Sequence, residues 1–202
     1  MTPPLIVGLG GSTRPGSSSE QILRGCLATA EALGARTAIL ASESLHLPLY
    51  EPEHADHGDG AARIADLVDV VRRADGLILA SPGYHGGISG MVKNALDYVE
   101  DLRDDARPYL DGRAVGCVAA ASGWQAANTT LAALRSVVHA LRGWPTPIGV
   151  AINVATLQWD PSGLVSDPQL RLQLDLQVRQ VVEFADRWAR SATSAVLPAQ
   201  PG

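Results

Sequence analysis

The chain has 202 residues, of which 46% are apolar and 18% are charged, and its formal net charge is −5. This composition is sufficient for one folded domain with a sizeable core, and it excludes a largely disordered chain. The negative charge and the lack of any Lys/Arg cluster argue against a nucleic-acid-binding protein.

No apolar run approaches the roughly 20 residues that a transmembrane helix needs, and no signal peptide is visible at the N-terminus. We therefore expect a cytoplasmic protein that binds neither membrane nor nucleic acid. Cys26 and Cys117 lie in separate apolar segments, which predicts two core thiols and no disulfide. His46, His54 and His57 have no cysteine or paired carboxylate at ligand spacing, so we predict no metal site.

Strand and helix patterns alternate along the chain. Short apolar runs predict buried strands at 5–7, 36–41, 76–80, 113–121 and 147–152. Apolar residues at three- and four-residue spacings predict helices at about 20–33, 61–74, 90–102, 128–142 and 167–190. The last segment also alternates like a strand from Leu170 to Val178, but its length favours a helix with Asp167 as N-cap. Residues 42–60 have no period and predict a long loop, which could cover a site.

Five strand–helix alternations predict an α/β fold, namely a doubly wound parallel five-stranded sheet with helices on both faces. The flavodoxin-like strand order 2-1-3-4-5 is the expected one, and it puts a ligand site at the switch point between the first and third strands. We expect a single domain over residues 1–190 and a disordered tail over 191–202.

The loop after the first strand is rich in hydroxyl groups. Ser12, Ser17 and Ser19 accompany Arg14 just before a predicted helix, whose N-terminus favours anions. This set of groups fits a monophosphate. A capping box formed by Ser17 and Glu20 is the alternative, and it accounts for neither Arg14 nor the other hydroxyls.

A glycine-rich turn, Ser81 to Gly90, follows the third strand. Glycines let backbone N–H groups approach a ligand closely, and such a platform at a strand end suits a flat heteroaromatic ring. Tyr84 could contact that ligand or pack on the next helix. His85 could donate a hydrogen bond to it or be a solvent-exposed turn residue.

Three blocks of the sequence resemble the NADPH-dependent FMN reductase family of flavodoxin-like proteins. They are Gly11 to Ser19, Ser81 to Asp97, and Ser122-Gly123-Trp124. The resemblance implies that the FMN phosphate is held by Ser12, Arg14, Ser17 and Ser19. It implies that the isoalloxazine ring is cradled by Pro82, Gly83, Tyr84, His85 and Gly86, and that its other edge is closed by Ser122, Gly123 and Trp124. Within the middle block, we expect structural roles for Lys93, Asn94 and Asp97.

The middle block departs from the family pattern in three places. Many members have a glutamate in place of Gly83 and an asparagine in place of His85, so the pyrimidine edge could be contacted differently here. Ile88 stands where sulfonate-utilisation flavin reductases have a tyrosine, which mildly favours a flavin that stays bound.

The resemblance implies an NAD(P)H-dependent FMN oxidoreductase, in which hydride passes from nicotinamide to flavin N5 and FMN or a small acceptor such as a quinone is reduced. No side-chain acid or base is predicted, because the flavin carries the chemistry. The electron donor would be NADPH or NADH, and the partner a small-molecule acceptor or a flavin-dependent monooxygenase. The wide apolar face of the last helix and the family resemblance indicate a homodimer, or a homotetramer.

Two other functions remain open. A flavodoxin-like electron carrier would bind FMN without oxidising NAD(P)H itself, although such carriers usually have a threonine-rich phosphate loop and aromatic residues beside the flavin. The presence of Arg14 and the 4% aromatic content argue against it. A flavin-free regulator on the same fold is disfavoured by the intact phosphate loop.

Overall fold

A parallel β-sheet covered by helices organises the chain, and the computed structural model describes it over residues 2–52 and 58–194. The strands are β1 (Leu5–Gly10), β2 (Arg36–Ala41), β3 (Gly76–Tyr84), β4 (Gly87–Ile88), β5 (Ala114–Ala121), β6 (Trp144–Pro145) and β7 (Val150–Asn153). The helices are α1 (Ser18–Ala32), α2 (Ala61–Arg73), α3 (Gly90–Asp97), α4 (Trp124–Ala140) and α5 (Pro168–Ser194).

The predicted strand order is confirmed. The sheet runs β2-β1-β3-β5, all parallel, and the fifth strand lies beside β5 in two pieces: β7 overlaps the predicted 147–152, whereas β6 lies before the predicted start. The remaining strand, β4, is a short antiparallel partner of β3. A doubly wound sheet therefore forms, with its switch point between β1 and β3.

Two apolar cores lie on opposite faces of the sheet. One packs α2, α3 and α4 against it and contains Cys117; the other packs α1 and α5 and contains Cys26. Both thiols are free and buried, as predicted, and their positions on opposite faces prevent a disulfide. Burial raises the pKa of each thiol to about 12, so neither is a thiolate at neutral pH.

The fifth strand is interrupted, which the sequence pattern did not indicate. Four residues, 146–149, stand opposite only two residues of β5, 116–117. Pro147 in this interruption has no N–H to donate to β5. The buried Gln177 of α5 replaces the missing bond, because its Nε2 donates to the carbonyl oxygens of Cys117 (2.9 Å) and Ile148 (3.0 Å).

Helix α5 confirms the helical interpretation of the last segment. Asp167 caps it, since its Oδ1 accepts from the N–H groups of Gln169 (2.8 Å) and Leu170 (3.4 Å). The helix continues to Ser194, four residues into the predicted tail. Residues 195–202, like His54 and His57, lie outside the described residues.

The loop after β2 is held against α3. The Asn94 side chain donates to the Pro48 carbonyl (2.7 Å) and accepts from the Tyr50 N–H (2.8 Å), and Leu45 is buried in the core. The expected structural role of Asn94 is therefore confirmed. Among the described residues, no helix is both long enough and apolar enough to cross a bilayer.

Candidate functional site

The three segments singled out in the sequence follow the carboxyl ends of the neighbouring strands β1, β3 and β5, and so they lie along the same edge of the sheet. Gly10 at the end of β1 pairs with Ala80 of β3, and the N–H of Gly11 donates to the Ala80 carbonyl (2.9 Å). Pro82 of β3 pairs in turn with Ala120 of β5. A Cβ on Gly10 would lie 1.9 Å from the Ala80 oxygen, so only glycine allows this approach. The site therefore combines the loops after β1, β3 and β5.

The loop after β1 turns its three serines inward, and all are buried. Ser12 Oγ accepts from the Arg14 N–H (3.2 Å), which closes the loop on itself. Ser17 is the N-cap of α1, and its Oγ accepts from the Glu20 N–H (3.4 Å) and lies 3.3 Å from Ser19 Oγ. The Ser17 and Ser19 hydroxyls thus lie at the first turn of a fifteen-residue helix, and the Ser12 hydroxyl lies in the loop that leads to it.

Glu20 makes more hydrogen bonds in this loop than a capping box requires. Its carboxylate accepts from the Gly16 N–H (3.1 Å), from Ser42 Oγ (2.7 Å) and from Arg24 (2.7 Å). Burial by itself would raise the pKa of Glu20, but the hydrogen bonds from Ser42, Arg24 and Gly16 outweigh it and lower the pKa. One half of the capping box is therefore present, because Ser17 caps α1. The Glu20 carboxylate, however, accepts from the Gly16 N–H.

Arg14 has a different environment. Its side chain is exposed and makes no hydrogen bond or ion pair with any residue of the described ranges. An unpaired guanidinium beside a helix N-terminus favours an anion such as a phosphate.

The turn after β3 is a two-residue hairpin. Strand β3 continues four residues past its predicted end to Tyr84, which pairs with Gly87 of β4. His85 (φ +53°) and Gly86 (φ +83°) are both left-handed, the conformation of a type I′ turn. The N–H groups of His85 and Gly86 lie outside the hairpin pairing, at the tip.

The hairpin explains two departures from the family pattern. A Cβ on Gly83 would lie 2.6 Å from Thr130 Oγ1 and 2.9 Å from the Ala121 Cβ, so the fold has no room for a glutamate there. Position 85 needs a left-handed residue, and histidine shares with asparagine an elevated tolerance for it. Tyr84 is 56% exposed, so packing on α3 does not account for it.

The third segment joins β5 to α4. Gly123 has φ +115° and turns the chain so sharply that α4 begins at Trp124, four residues before the predicted start. The Gly123 N–H donates to Asn153 Oδ1 at the end of β7 (2.9 Å). Trp124 is 59% exposed, and Ser122 is also exposed. The backbone of this segment is therefore fixed, and both of its side chains, those of Ser122 and Trp124, are accessible.

Four residues that support the site were not predicted. Ser81 Oγ accepts from the Ser89 N–H (3.0 Å) and closes the base of the hairpin, and Ser89 caps α3. Asn153 and Thr130 contact the site from elements far away in sequence. Ser81 and Asn153 could have been predicted, because each is a polar residue at the end of an apolar strand. Nothing in the sequence around Thr130 indicates its role.

Open space lies on both sides of this edge. One cleft of about 710 Å³ reaches Thr13, Met91 and the segment 45–49, and another of about 570 Å³ begins at Trp124 and extends between α4 and α5. The edge itself supplies one cation, hydroxyls at a helix N-terminus, free N–H groups and two exposed aromatic rings. A flat ring with an anionic tail fits these groups, and FMN has that chemistry.

The sequence of this chain matches the model of the NADPH-dependent FMN reductase family over residues 4–156. An FMN-dependent NADPH-azoreductase of Staphylococcus haemolyticus is 34% identical over 129 residues, which are 61% of this chain and 63% of that protein. Its counterpart in Staphylococcus aureus is 32% identical over 123 residues, 60% of this chain and 62% of that protein. The matched region therefore spans less than two thirds of the length of these curated relatives.

Solved structures show the same fold at lower identity. The flavoenzyme NAD(P)H:(acceptor) oxidoreductase of Paracoccus denitrificans superposes with a TM-score of 0.71 at 19% identity, covering 91% of this chain and 98% of that one. An NADH:FMN oxidoreductase superposes with a TM-score of 0.65 at 21% identity, covering 98% and 92%. The family match covers most of the chain and both predicted loops after β1 and β3, so the chain belongs to the NADPH-dependent FMN reductase family.

Proposed function

We propose that this chain binds FMN at the ends of β1, β3 and β5 and acts as an NAD(P)H-dependent FMN oxidoreductase. The observation that carries the proposal is Arg14, an exposed cation in the loop between β1 and α1 that no other described residue pairs, together with the hairpin after the neighbouring strand β3, whose turn N–H groups lie outside its pairing. When bound, FMN would supply the acceptor of the nicotinamide hydride.

Each segment has a separate task in this proposal. Arg14 and the hydroxyls of Ser12, Ser17 and Ser19 bind the phosphate, whose charge the α1 dipole also favours. The remaining groups position the ring system and leave one face open to the nicotinamide and the acceptor: Pro82, Gly83, Tyr84, His85, Gly86, Ser122, Gly123 and Trp124. No side chain of the site is required to move a proton.

For the acceptor we propose a small aromatic compound, a quinone or an azo compound. The name of the staphylococcal relatives supports the azo class, and the exposed rings of Tyr84 and Trp124 offer stacking surfaces for either. Free FMN delivered to a flavin-dependent monooxygenase is a further possibility within the same reaction.

An electron carrier is the second candidate, and the same two exposed rings favour it. Aromatic side chains flanking the flavin are usual in flavodoxin-like carriers, and Tyr84 and Trp124 are each more than half exposed. Such a carrier would bind FMN at the same strand ends but would not oxidise NAD(P)H.

One experiment separates these candidates. The purified protein is titrated with FMN by fluorescence, and NADPH and NADH oxidation is then followed with FMN, a benzoquinone and an azo dye as acceptors. We expect FMN binding and acceptor-dependent oxidation. Binding without oxidation for any acceptor would favour the carrier, and a lack of FMN binding would reject both.

We also propose a homodimer, supported by an exposed apolar patch along α5. The patch consists of the exposed Leu172, Leu176 and Trp188 and the half-buried Phe184, together with the exposed Trp144 of β6. Phe184 stacks on Trp188 with ring centroids 5.6 Å apart and contacts Trp144 at 6.0 Å. A surface of this kind on a folded protein is a typical protein–protein contact.

A further inference from the structure

The hairpin after β3 rests on helix α4, and Thr130 makes the hydrogen bond that joins the two elements. Thr130 is fully buried, and its Oγ1 donates to the Gly87 carbonyl at 3.2 Å. The same hydroxyl lies directly beneath Gly83, where a Cβ would come within 2.6 Å of it. Thr130 therefore touches both strands of the hairpin, β3 through Gly83 and β4 through Gly87.

This use of a helical threonine hydroxyl differs from the usual one. Within a helix the hydroxyl ordinarily donates to a carbonyl of the preceding turn, as the neighbouring Thr129 does to Gln125 (3.0 Å) and Ala126 (3.2 Å). Thr130 directs its donor out of the helix, across 43 residues of sequence, to the hairpin. Its bond therefore fixes one element relative to another instead of stabilising α4.

The hairpin is held at two points. Its base is closed by Ser81 Oγ and the Ser89 N–H (3.0 Å), and its tip by Thr130 and Gly87. Between these points lie Tyr84, His85 and Gly86, all exposed. Without the bond to Thr130, a two-residue turn with an exposed tip could tilt about Pro82, where the pairing of β3 with β5 ends, and this would move the free N–H groups of the turn.

We propose that Thr130 is a positioning residue of the flavin site, which holds the hairpin tip where its backbone N–H groups meet the ring system of FMN. This inference rests on the proposed FMN site, and it assigns a role to a residue that does not touch the ligand. The close contact with Gly83 contributes to this positioning, because the absence of a side chain at Gly83 lets the hairpin pack directly against the Thr130 hydroxyl.

The test compares Thr130→Val, which keeps the shape and removes the donor, with Thr130→Ser, which keeps the donor. Thr29→Val is the matched control, since it removes a helical threonine hydroxyl of α1 that bonds to Asp175 on the opposite face of the sheet from α4. We expect the dissociation constant of FMN to rise about five- to tenfold in Thr130→Val, as for loss of one hydrogen bond, and to change less than about twofold in the other two. In the FMN-free protein, hydrogen exchange of the Tyr84 and Gly87 amides, which pair across the hairpin, should accelerate in Thr130→Val alone.

Unchanged FMN affinity together with unchanged exchange in Thr130→Val would overturn the inference, and so would equal weakening by Thr130→Val and Thr130→Ser, which would indicate packing alone. If Thr130→Val does not fold, Gly83→Ala decides, because it lifts the hairpin off an intact Thr130 and should likewise weaken FMN binding and speed hairpin exchange. If the wild-type protein binds no FMN, the proposed function fails, whereas the exchange measurement still tests the contact itself.

Discussion

At the scale of single residues, Arg14 is the clearest functional candidate because nothing in the described part of the chain uses its charge. We predict that Arg14→Ala lowers FMN affinity by about 1.5–3 kcal/mol, roughly 10- to 150-fold, the range for a hydrogen bond to a charged group. Titration of FMN fluorescence measures it. Arg187→Ala, an exposed arginine of α5, is the control and should leave the affinity unchanged. Equal affinities of Arg14→Ala and wild type would mean that the phosphate binds elsewhere.

His85 carries a second residue-scale prediction, because it is a non-glycine residue at φ +53°. We expect His85→Val to lower the free energy of unfolding of the FMN-free protein by about 1–2 kcal/mol, since a β-branched side chain is strained in the left-handed region. His85→Asn should match or slightly exceed the wild type, because asparagine tolerates that region. Urea unfolding distinguishes them, and equal stability of the Val and Asn variants would contradict the type I′ turn.

At the scale of secondary-structure elements, the break in the fifth strand makes Gln177 a part of the sheet. We predict that Gln177→Leu lowers the free energy of unfolding by about 1–3 kcal/mol, because it leaves the buried Cys117 and Ile148 carbonyls without their donor. Gln173→Leu, an exposed position one turn earlier in α5, provides the control. Denaturant titration of both variants tests this, and a Gln177→Leu protein as stable as wild type would show that the bridge is dispensable.

Helix α5 has apolar residues on both its buried and its exposed face. Its buried face, including Leu174, Val178 and Val181, fills the core beneath the sheet, while the residues of the α5 patch remain outside. The same breadth of apolar positions made this segment alternate like a strand in sequence. An exposed apolar face on a helix whose other face is already buried is consistent with the dimer contact proposed above.

At the scale of the whole molecule, the α5 patch predicts the effect of a charge on assembly. Leu176→Glu should convert the proposed dimer into a monomer, because a carboxylate in an apolar interface loses its hydration without a partner. Light scattering coupled to gel filtration measures the mass. Leu164→Glu, at an equally exposed leucine away from the patch, should leave the dimer intact. A monomeric wild type, or a dimer in both variants, would refute this assignment.

The layout of the molecule was accessible from the sequence because it depends on local patterns. Short apolar runs and helical periodicity predicted the positions of five strands. The rules for parallel connections then allowed only a few strand orders in the sheet, and the expected order is the one observed. Ser17 and Asp167 indicated helix starts correctly, since caps are formed by residues next to them in sequence. The resemblance to the family followed from three short blocks of residues, each local in sequence.

Contacts between distant segments were decided only by the tertiary structure. Thr130 bonds to the hairpin and Gln177 bonds to β5 and to the interruption of the fifth strand. No neighbouring residue could predict these bonds, because they span 29 residues or more. Local sequence thus determined which elements form and where a ligand should bind. The tertiary packing decided how firmly the walls of that site are held, since hydrogen bonds and close contacts depend on positions that only the assembled sheet and helices define.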